Sequence, residues 1–403
     1  MNASPEKEWR NPWEQRAEFA KVAPRNLAFS LVIVFLCALA IPLAAFDETV
    51  TLLVLAALFI YVVGTVRAPF AVTMLLGTAF LTYSLTNTLV AATVVLAFVV
   101  GIGAMTFLLT AMPSPVVPLF FPVAATCAAY AVLGDWRLSL LSLGFVPAAV
   151  LLAVATRVGK GRTTAICFGQ VGLLLAIAAG VGYVLYTGSV AREITVSEYV
   201  ELLKEDFLGL VLRMQEQRAA VSQEVFGADA KQELLSPEVV PLLVDYSAKL
   251  FPAICCVICG VVVFEAQILL NGLYRNAEWK QVLTPHSMVF TMSLLGAILY
   301  FATFLLALIP WENPLVSLTV LNLNVMLLPG FCVIGFTMLM LNFARSKGGA
   351  RMIWILLLGG VFCFAGALAL PLLAMFGSNS VVMSAMYRRL SDKSEHGADD
   401  DRE

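Results

Sequence analysis

Repeated apolar runs of membrane-crossing length restrict what this chain can fold into more than any other feature. Runs long enough to cross about 30 Å of hydrocarbon cover residues 27–46, 49–66, 70–86, 88–111, 115–133, 138–156, 163–187, 248–274, 288–309, 315–341 and 352–376. Backbone groups in lipid must be satisfied within their own segment, which favours helices, and no alternating pattern indicates a barrel. The sequence therefore predicts an all-α, polytopic transmembrane helical bundle of about 10 or 11 spans.

Lysine and arginine are concentrated in alternate loops of this predicted bundle. They occur before residue 27, at residue 67, and within 157–162, 275–280 and 345–351, whereas the intervening short loops contain only Arg137. Because basic loops stay in the cytoplasm, we expect a cytoplasmic N-terminus. An eleventh span would place Arg388 and Arg389 outside, so either the tail is external or residues 371–390 fold back as a short hairpin.

Changes in composition divide the chain into five parts. Residues 1–26 form a cytoplasmic amphipathic N-terminal segment, 27–187 an N-terminal membrane bundle of about seven spans, and 188–240 an extracytoplasmic acidic helical insert. Residues 241–390 form a C-terminal membrane bundle of three or four spans, and 391–403 a disordered acidic tail. In the insert, Thr195 followed by Glu198 is a capping-box pattern. This helix is either a solvated helix packed on the bundle or a lid over an outer pocket.

Three charged residues lie close together in or beside one apolar run. Asp245 and Lys249 are four residues apart, so on a helix they share a face and can form an ion pair near the outer end of the span. Glu265 lies ten residues before Arg275, which places it about 15 Å deep at 1.5 Å per residue. A charge at that depth is costly, so its neutral form is favoured unless a cation lies opposite. Glu265 is either a structural hydrogen-bonding group or a ligand or proton site.

Other polar side chains fall at similar depth within the predicted spans. Together with Glu265 we expect them to line one interior ligand site: Gln170, Asn271, Asn322 and Asn324. Asparagine and glutamine also join helices without any ligand. Pro252, and Pro329 with Gly330, interrupt helical hydrogen bonding and predict kinks beside these polar residues.

Signatures of catalysis and of metal binding are missing from the sequence. It contains two histidines, and no zinc-protease motif, phosphate-binding glycine loop or nucleophile elbow occurs. Cys255, Cys256 and Cys259 share part of a helical face, and they either bind a soft metal or act as small apolar residues, which we expect. We predict no enzyme, no catalytic residues, no metal, no cofactor and no nucleic-acid partner.

The C-terminal half contains a recognisable set of motifs: the acidic helix at 198–217, the entry at 234–241, the end of the span at 269–275, and the stretch 321–324 followed by Gly335. Together these motifs resemble the YybS-like family of bacterial multi-spanning membrane proteins. That family is distantly similar to the substrate-binding subunits of energy-coupling-factor transporters. The resemblance implies a bacterial plasma membrane location, capture of a small molecule from outside, and a separate ATPase partner subunit.

These observations favour a membrane protein that binds or helps to transport a small solute. One alternative is a non-transporting scaffold of the cell envelope whose acidic helix docks a protein partner. Another is an envelope-polymer transferase, which would need the loop residues Asp135 or Glu312.

Overall fold

Helices form every regular element of the computed structural model, which describes residues 24–43, 48–66, 69–86, 88–158, 161–226, 239–276, 292–346 and 369–400. In chain order the α-helices are α1 (Pro24–Leu43), α2 (Glu48–Tyr61), α3 (Pro69–Thr86), α4 (Leu89–Ala111), α5 (Val116–Leu133), α6 (Trp136–Ser139), α7 (Val146–Arg157), α8 (Arg162–Arg192), α9 (Val196–Phe226), α10 (Val239–Lys249), α11 (Phe251–Asn276), α12 (Leu294–Ala307), α13 (Pro314–Arg345) and α14 (Ala369–Asp400). A π-helical segment, Val62–Val66, extends α2, and a 3-10 helix, Leu140–Leu143, joins α6 towards α7.

Long apolar helices dominate the described part of the chain. Eight stretches in it are long and apolar enough to cross a membrane: Arg25–Leu43, Leu89–Ala111, Val116–Leu133, Trp136–Arg157, Arg162–Arg192, Phe251–Tyr274, Pro314–Phe343 and Ala369–Met386. Three further apolar helices are shorter, at Thr49–Gly64, Val72–Ser84 and Leu294–Ala307. The prediction of an all-helical protein rich in membrane-length helices is confirmed.

The predicted span boundaries differ from the structure mainly at the end of the chain. Most of the eleventh predicted span, 352–376, lies outside the described residues, as does most of the predicted N-terminal segment 1–26. The last helix, α14, runs without interruption from Ala369 to Asp400. A hairpin within 371–390 is therefore wrong, and residues 391–400, predicted to be disordered, are helical. Extending an existing helix costs far less than nucleating one, which a reading by composition does not take into account.

Two compact units divide the chain, and their division falls within α8 and α11. The first contains residues up to Ile177 together with Ile258–Met288, and the second contains Ala178–Val257 together with the residues from Val289 onward.

In the first unit, α4 is the most buried helix, and every residue from Val99 to Thr110 is buried. Gly101 faces Phe145, and Gly103 faces Leu269 of α11 so closely that a Cβ would collide with that side chain. Small residues allow membrane helices to approach in this way. Both glycines therefore serve helix packing.

In the second unit, α13 and α14 cross with their backbones in contact. Gly335 and Gly377 lie at this crossing, where a Cβ on either would overlap a carbonyl oxygen of the other helix, that of Leu373 or of Phe331. Beside the crossing, the ring of Tyr300 packs 5.2 Å from that of Phe331, measured between centroids. This cluster is the core of the second unit.

The acidic insert begins with a tight turn between α8 and α9. Glu193 adopts a left-handed conformation (φ 56°), and the amide of Ile194 donates to the carbonyl of Ser189 at 3.1 Å. The predicted capping box is confirmed, because the Thr195 amide donates to Glu198 Oε2 at 2.8 Å and the Glu198 amide donates to Thr195 Oγ1 at 3.3 Å. The described part of the insert is therefore helical, as predicted.

The eighth predicted span begins with a break between two helices. α10 ends at Lys249 and α11 begins at Phe251. Pro252 has no N–H to donate to Ala248 and disfavours the helical conformation at the residue before it, so a continuous helix is costly here. The disturbance predicted at Pro252 is confirmed as this break, whereas Pro329 lies inside the uninterrupted helix α13.

Candidate functional site

Glu265 is the most deeply buried carboxyl group that the structure describes. Its side chain is 4% exposed, and Thr78 Oγ1 of α3 donates a hydrogen bond to its Oε1. Its Oε2 is buried and has no hydrogen-bond partner among the described residues. No lysine or arginine in the described ranges lies within salt-bridge distance of it. The carboxyl group is therefore half satisfied.

Close packing on two neighbouring helices fixes the position of α11 around Glu265. Leu269 fills the space above Gly103 of α4, and Val263 fills the space above Gly169 of α8, where a Cβ would lie 2.7 Å from Val263 Cγ1. Thr78 then contacts Glu265 from α3. The carboxyl group is held by rigid helices, which is how precise binding sites are built.

A guanidinium group reaches the same stretch of α11. Arg162, the first residue of α8, donates through Nε to Gln267 Oε1 at 3.2 Å. Its guanidinium also lies 5.6 Å from the centroid of the Phe264 ring. Gln267 is 1% exposed, so the positive charge of Arg162 extends into the interior of the first unit.

A second polar group closes the end of α4 in the first unit. Arg157 is 5% exposed and donates to the carbonyl oxygens of Leu109, Thr110 and Met112, which have no partner within the helix. Thr110 Oγ1 also lies 2.6 Å from the hydroxyl of Tyr274. Sequence reasoning predicts only loop charges at Arg157 and Arg162, and no signal in the sequence shows that their side chains turn inward.

The other two predicted ligand residues of this unit do not join Glu265. Gln170 lies against Gly260 of α11, where its Nε2 is 3.2 Å from the position of a glycine Cβ. Asn271 is half-buried on α11, six residues after Glu265. Residues that share a helical face are three, four or seven apart. Gly260, where Gln170 lies, is five residues from Glu265 and Asn271 is six residues from it. Neither of these positions on α11 therefore faces the same direction as Glu265. Their predicted role in ligand binding stays a prediction.

Asn322 of the second unit joins the two halves of the broken helix. Its Nδ2 donates to the carbonyl oxygens of Lys249 at 3.1 Å and Leu318 at 2.9 Å, and its Oδ1 accepts from the amide of Ala253 at 3.2 Å. Both donors of the amide are thus used on backbone carbonyls. The carbonyl of Lys249 and the amide of Ala253 are the backbone groups that the break at Leu250 frees. This geometry makes Asn322 a structural residue.

Asn324 makes one long hydrogen bond to α12, the helix that also contains an unsatisfied hydroxyl group. Its Nδ2 donates to Thr303 Oγ1 at 3.4 Å, at the long end of hydrogen-bond distances. The hydroxyl of Tyr300, which is fully buried, has no hydrogen-bond partner among the described residues. Sequence reasoning missed Tyr300, since a tyrosine in an apolar helix is common and gives no signal of its own.

The ion pair between Asp245 and Lys249 is formed on α10, with Lys249 Nζ 2.6 Å from Asp245 Oδ2. Each side chain is about half exposed, at 47% for Asp245 and 53% for Lys249. The hydrogen bond from Lys249 lowers the pKa of Asp245, and the same bond raises the pKa of Lys249. An exposed pair of this kind contributes little to stability.

Asp135, a loop residue that a transferase would need, has a structural role in this fold. Its Oδ1 accepts from the amide of Arg137 at 2.8 Å and caps α6.

Within the described ranges, no three histidine, cysteine, aspartate or glutamate side chains are grouped so as to hold a metal ion.

The fold and its interior polar groups define the class of this protein: it is all-helical, with the long apolar helices of an integral membrane protein. Comparison with family models, with curated proteins and with solved structures gives no match to the chain. Membership of the YybS-like family therefore stays a prediction.

Proposed function

We propose that this protein binds a small solute within the membrane and helps to move it, with Glu265 as the side chain that recognises the solute. The observation that carries the proposal is the buried Oε2 of Glu265, which lacks a partner among the described residues. A buried polar atom left without a partner costs about 1–3 kcal/mol. A protein retains this free-energy cost where a bound ligand completes the hydrogen bonding of the buried atom during function.

Glu265 differs from Asn322 and Gln267 in the property that a ligand needs, an unused hydrogen-bonding atom. Asn322 spends both donors on backbone carbonyls, and Gln267 accepts from Arg162. Glu265 alone among these three keeps an oxygen unused. Ionisable residues in membrane helices are uncommon, and they mark substrate or ion routes by default.

The finer parts of the proposal come from the sequence. We place the protein in a bacterial plasma membrane as a multi-pass protein with a cytoplasmic N-terminus. In the manner of the substrate-binding subunits that its C-terminal half resembles, it takes its solute from outside and receives energy from a separate ATPase partner. The proposal assigns no chemical reaction to the chain.

A screen by thermal unfolding tests this function. The full-length protein in detergent is heated in the presence of each member of a metabolite panel, and at least one compound should raise the unfolding temperature. A ligand at a hundred times its dissociation constant stabilises the folded state by about 2.7 kcal/mol. The shift should disappear in Glu265→Gln, which keeps the shape of the side chain and replaces its ionisable carboxyl group with an amide.

Glu201→Gln provides the matched control. Glu201 is exposed on α9 and pairs with Lys204 at 2.7 Å, so the same chemical change there leaves the interior untouched. The control should keep the full ligand-induced shift. If no compound stabilises the protein, or if Glu265→Gln responds as the wild type does, the proposed function is wrong.

A scaffold function is the second candidate, and the surface of α9 favours it. Leu203, Phe207 and Leu210 are 37%, 48% and 48% exposed, and their spacing places them on one face of the helix. Glu201, Glu205 and Asp206 border this apolar face with negative charge. Apolar anchors with a charged rim are typical of a protein-docking surface.

The two candidates respond to different variants. If the protein is a scaffold, Phe207→Ser should abolish copurification of a partner crosslinked in intact membranes, and Glu265→Gln should have no effect. If it binds a solute, Phe207→Ser should leave the ligand-induced shift unchanged.

A further inference from the structure

We propose that Glu265 is the proton-binding group of this protein, holding a proton on Oε2 in the closed arrangement of helices that the structure shows. The inference concerns the same side chain as the proposed function and deepens it. Its test needs no solute, so either one can fail while the other stands.

The balance of charge around the Glu265 carboxyl group favours its neutral form. No lysine or arginine among the described residues lies within salt-bridge distance of Glu265. An unpaired carboxylate in a medium of low polarity costs far more than a neutral acid, so such groups take up a proton instead. The neutral acid is therefore the form that this surrounding stabilises.

In the described ranges, the helices packed around Glu265 bring no positively charged group into salt-bridge contact with it. α3 and α4 contain no acidic or basic residue. On α8 the basic residues are Arg162, which reaches Gln267 and Phe264, and Arg192 at the opposite end of the helix. On α11 itself the only other charged residue is Arg275, ten positions further along.

A proton fits this site better than a metal ion or an ammonium group does. A metal ion or an ammonium group needs several oxygen ligands arranged around it. Among the described residues, the hydrogen-bonding contact of Glu265 is a single threonine hydroxyl, and Leu269 and Val263 of α11 pack against Gly103 and Gly169. A proton needs no cage and no extra volume, which fits an oxygen enclosed by packed helices.

Thr78 has a defined part in this arrangement. Its hydroxyl donates to Oε1, which makes Oε1 the carbonyl oxygen of the acid and leaves Oε2 as the atom that carries the proton. On protonation an O–H bond forms at Oε2 with a proton from water, and on release the proton returns to water and leaves the carboxylate. Thr78 is thus a positioning residue for the proton site.

Infrared spectroscopy of the full-length protein tests the proposal directly. A protonated carboxylic acid has a C=O stretch that a carboxylate lacks, and maltoside detergent contributes no carbonyl band of its own. At neutral pH in heavy water, the wild type should show this band, and Glu265→Gln should lose it completely. The band should disappear reversibly as the pH is raised. Glu201→Gln should keep it.

Thr78→Val provides a second readout that does not depend on replacing Glu265. Valine has nearly the shape of threonine and donates no hydrogen bond, so the C=O stretch should move to higher frequency. A structural role of Thr78 alone would leave the frequency unchanged. The proposal is overturned if the wild type has no such band at neutral pH, if the band survives in Glu265→Gln, or if Thr78→Val does not shift it. If Glu265→Gln fails to fold, the shift in Thr78→Val decides.

Discussion

At the scale of single residues, the use of hydrogen-bonding capacity separates structural polar groups from candidate functional ones. Asn322 donates twice and accepts once, all with backbone groups. Glu265 accepts one bond from Thr78 and leaves its second oxygen buried and unused. Both residues lie in apolar helices, so their sequence surroundings are alike, and only the geometry distinguishes their roles.

Replacement of Asn322 should destabilise the protein. Asn322→Leu removes the side chain that bonds Lys249 and Ala253 at the break between α10 and α11, and it leaves those backbone groups without partners. The expected loss is about 1–3 kcal/mol of unfolding free energy. Thermal or denaturant unfolding in detergent measures it.

Asn324→Leu is the control for that experiment, since Asn324 is on the same helix and makes one long bond, of 3.4 Å, to Thr303. Its effect should be clearly smaller. Equal effects of the two substitutions would mean that the bonds of Asn322 do not stabilise the break.

The sequence could predict part of this site and not the rest. The position of Glu265 inside an apolar helix, ten residues before a basic helix end, could be predicted, and the structure shows the side chain buried there. Thr78 could not be found, since a threonine in an apolar run gives no signal. Arg157 and Arg162 were assigned to a loop because charge counting uses position along the chain, whereas their long side chains turn inward to α4 and α11.

At the scale of helices, hydropathy predicts which segments are helical and how long they are. Contacts between particular residues decide where a helix begins, where it breaks and where two helices cross. The capping box at Thr195 and the break before Pro252 were predictable because each depends on residues close in sequence. The crossing of α13 and α14 was not. Gly335 and Gly377 are far apart in the chain, and glycine is common in membrane helices that make no such contact.

Introduction of a methyl group at this crossing should disrupt the second unit. In Gly377→Ala the new Cβ would overlap the carbonyl oxygen of Phe331, so the two backbones must separate. Overpacking typically costs about 1–3 kcal/mol, and a clash with backbone lies at the upper end. A lower unfolding temperature in detergent should report it.

Gly180→Ala is the matched control, because nothing lies within 4 Å of the added Cβ at that position of α8. Alanine also favours the helix over glycine. The control should therefore unfold at the wild-type temperature or above it. A Gly377→Ala protein as stable as this control would contradict the close crossing.

The first turn of α9 should loosen in acid. Hydrogen bonds from the Thr195 backbone and side chain lower the pKa of Glu198 in the folded protein. A lowered folded pKa contributes stability above the ordinary glutamate value of about 4.3, and that contribution is lost as the pH falls through the folded value. Amide hydrogen exchange at residues 196–199, corrected for the intrinsic pH dependence of exchange, should show decreasing protection on acidification.

Two variants test this interpretation of α9. Glu198→Gln should remove the pH dependence, whereas Glu201→Gln should retain it. Thr195→Ala should lower the stability of the first turn by about 1 kcal/mol at neutral pH, as loss of an N-cap does. Unchanged pH dependence in Glu198→Gln would exclude the carboxylate as its source.

At the scale of the whole molecule, fold class was the easiest property to predict and the end of the chain the hardest. Membrane-length apolar runs admit few structures, so the all-helical fold follows from physics that acts on every residue. The tail differs because composition marks residues 391–403 as polar, while α14 continues through Asp400. A polar composition does not by itself end a helix that has already begun.

The predicted topology gives the protein two sides, and labelling can distinguish them. The basic residues at 157–162 predict a cytoplasmic location for that loop, and the acidic composition of the insert at 188–240 predicts an external one. Glu205 on α9 and Gly161 before α8 are both exposed. In intact bacterial cells, a membrane-impermeant maleimide should label Glu205→Cys and should label Gly161→Cys only after lysis. The parent protein, whose eight cysteines all fall within predicted spans, provides the background. Labelling of Gly161→Cys in intact cells, with Glu205→Cys protected until lysis, would invert the orientation and place the predicted solute entry on the cytoplasmic side.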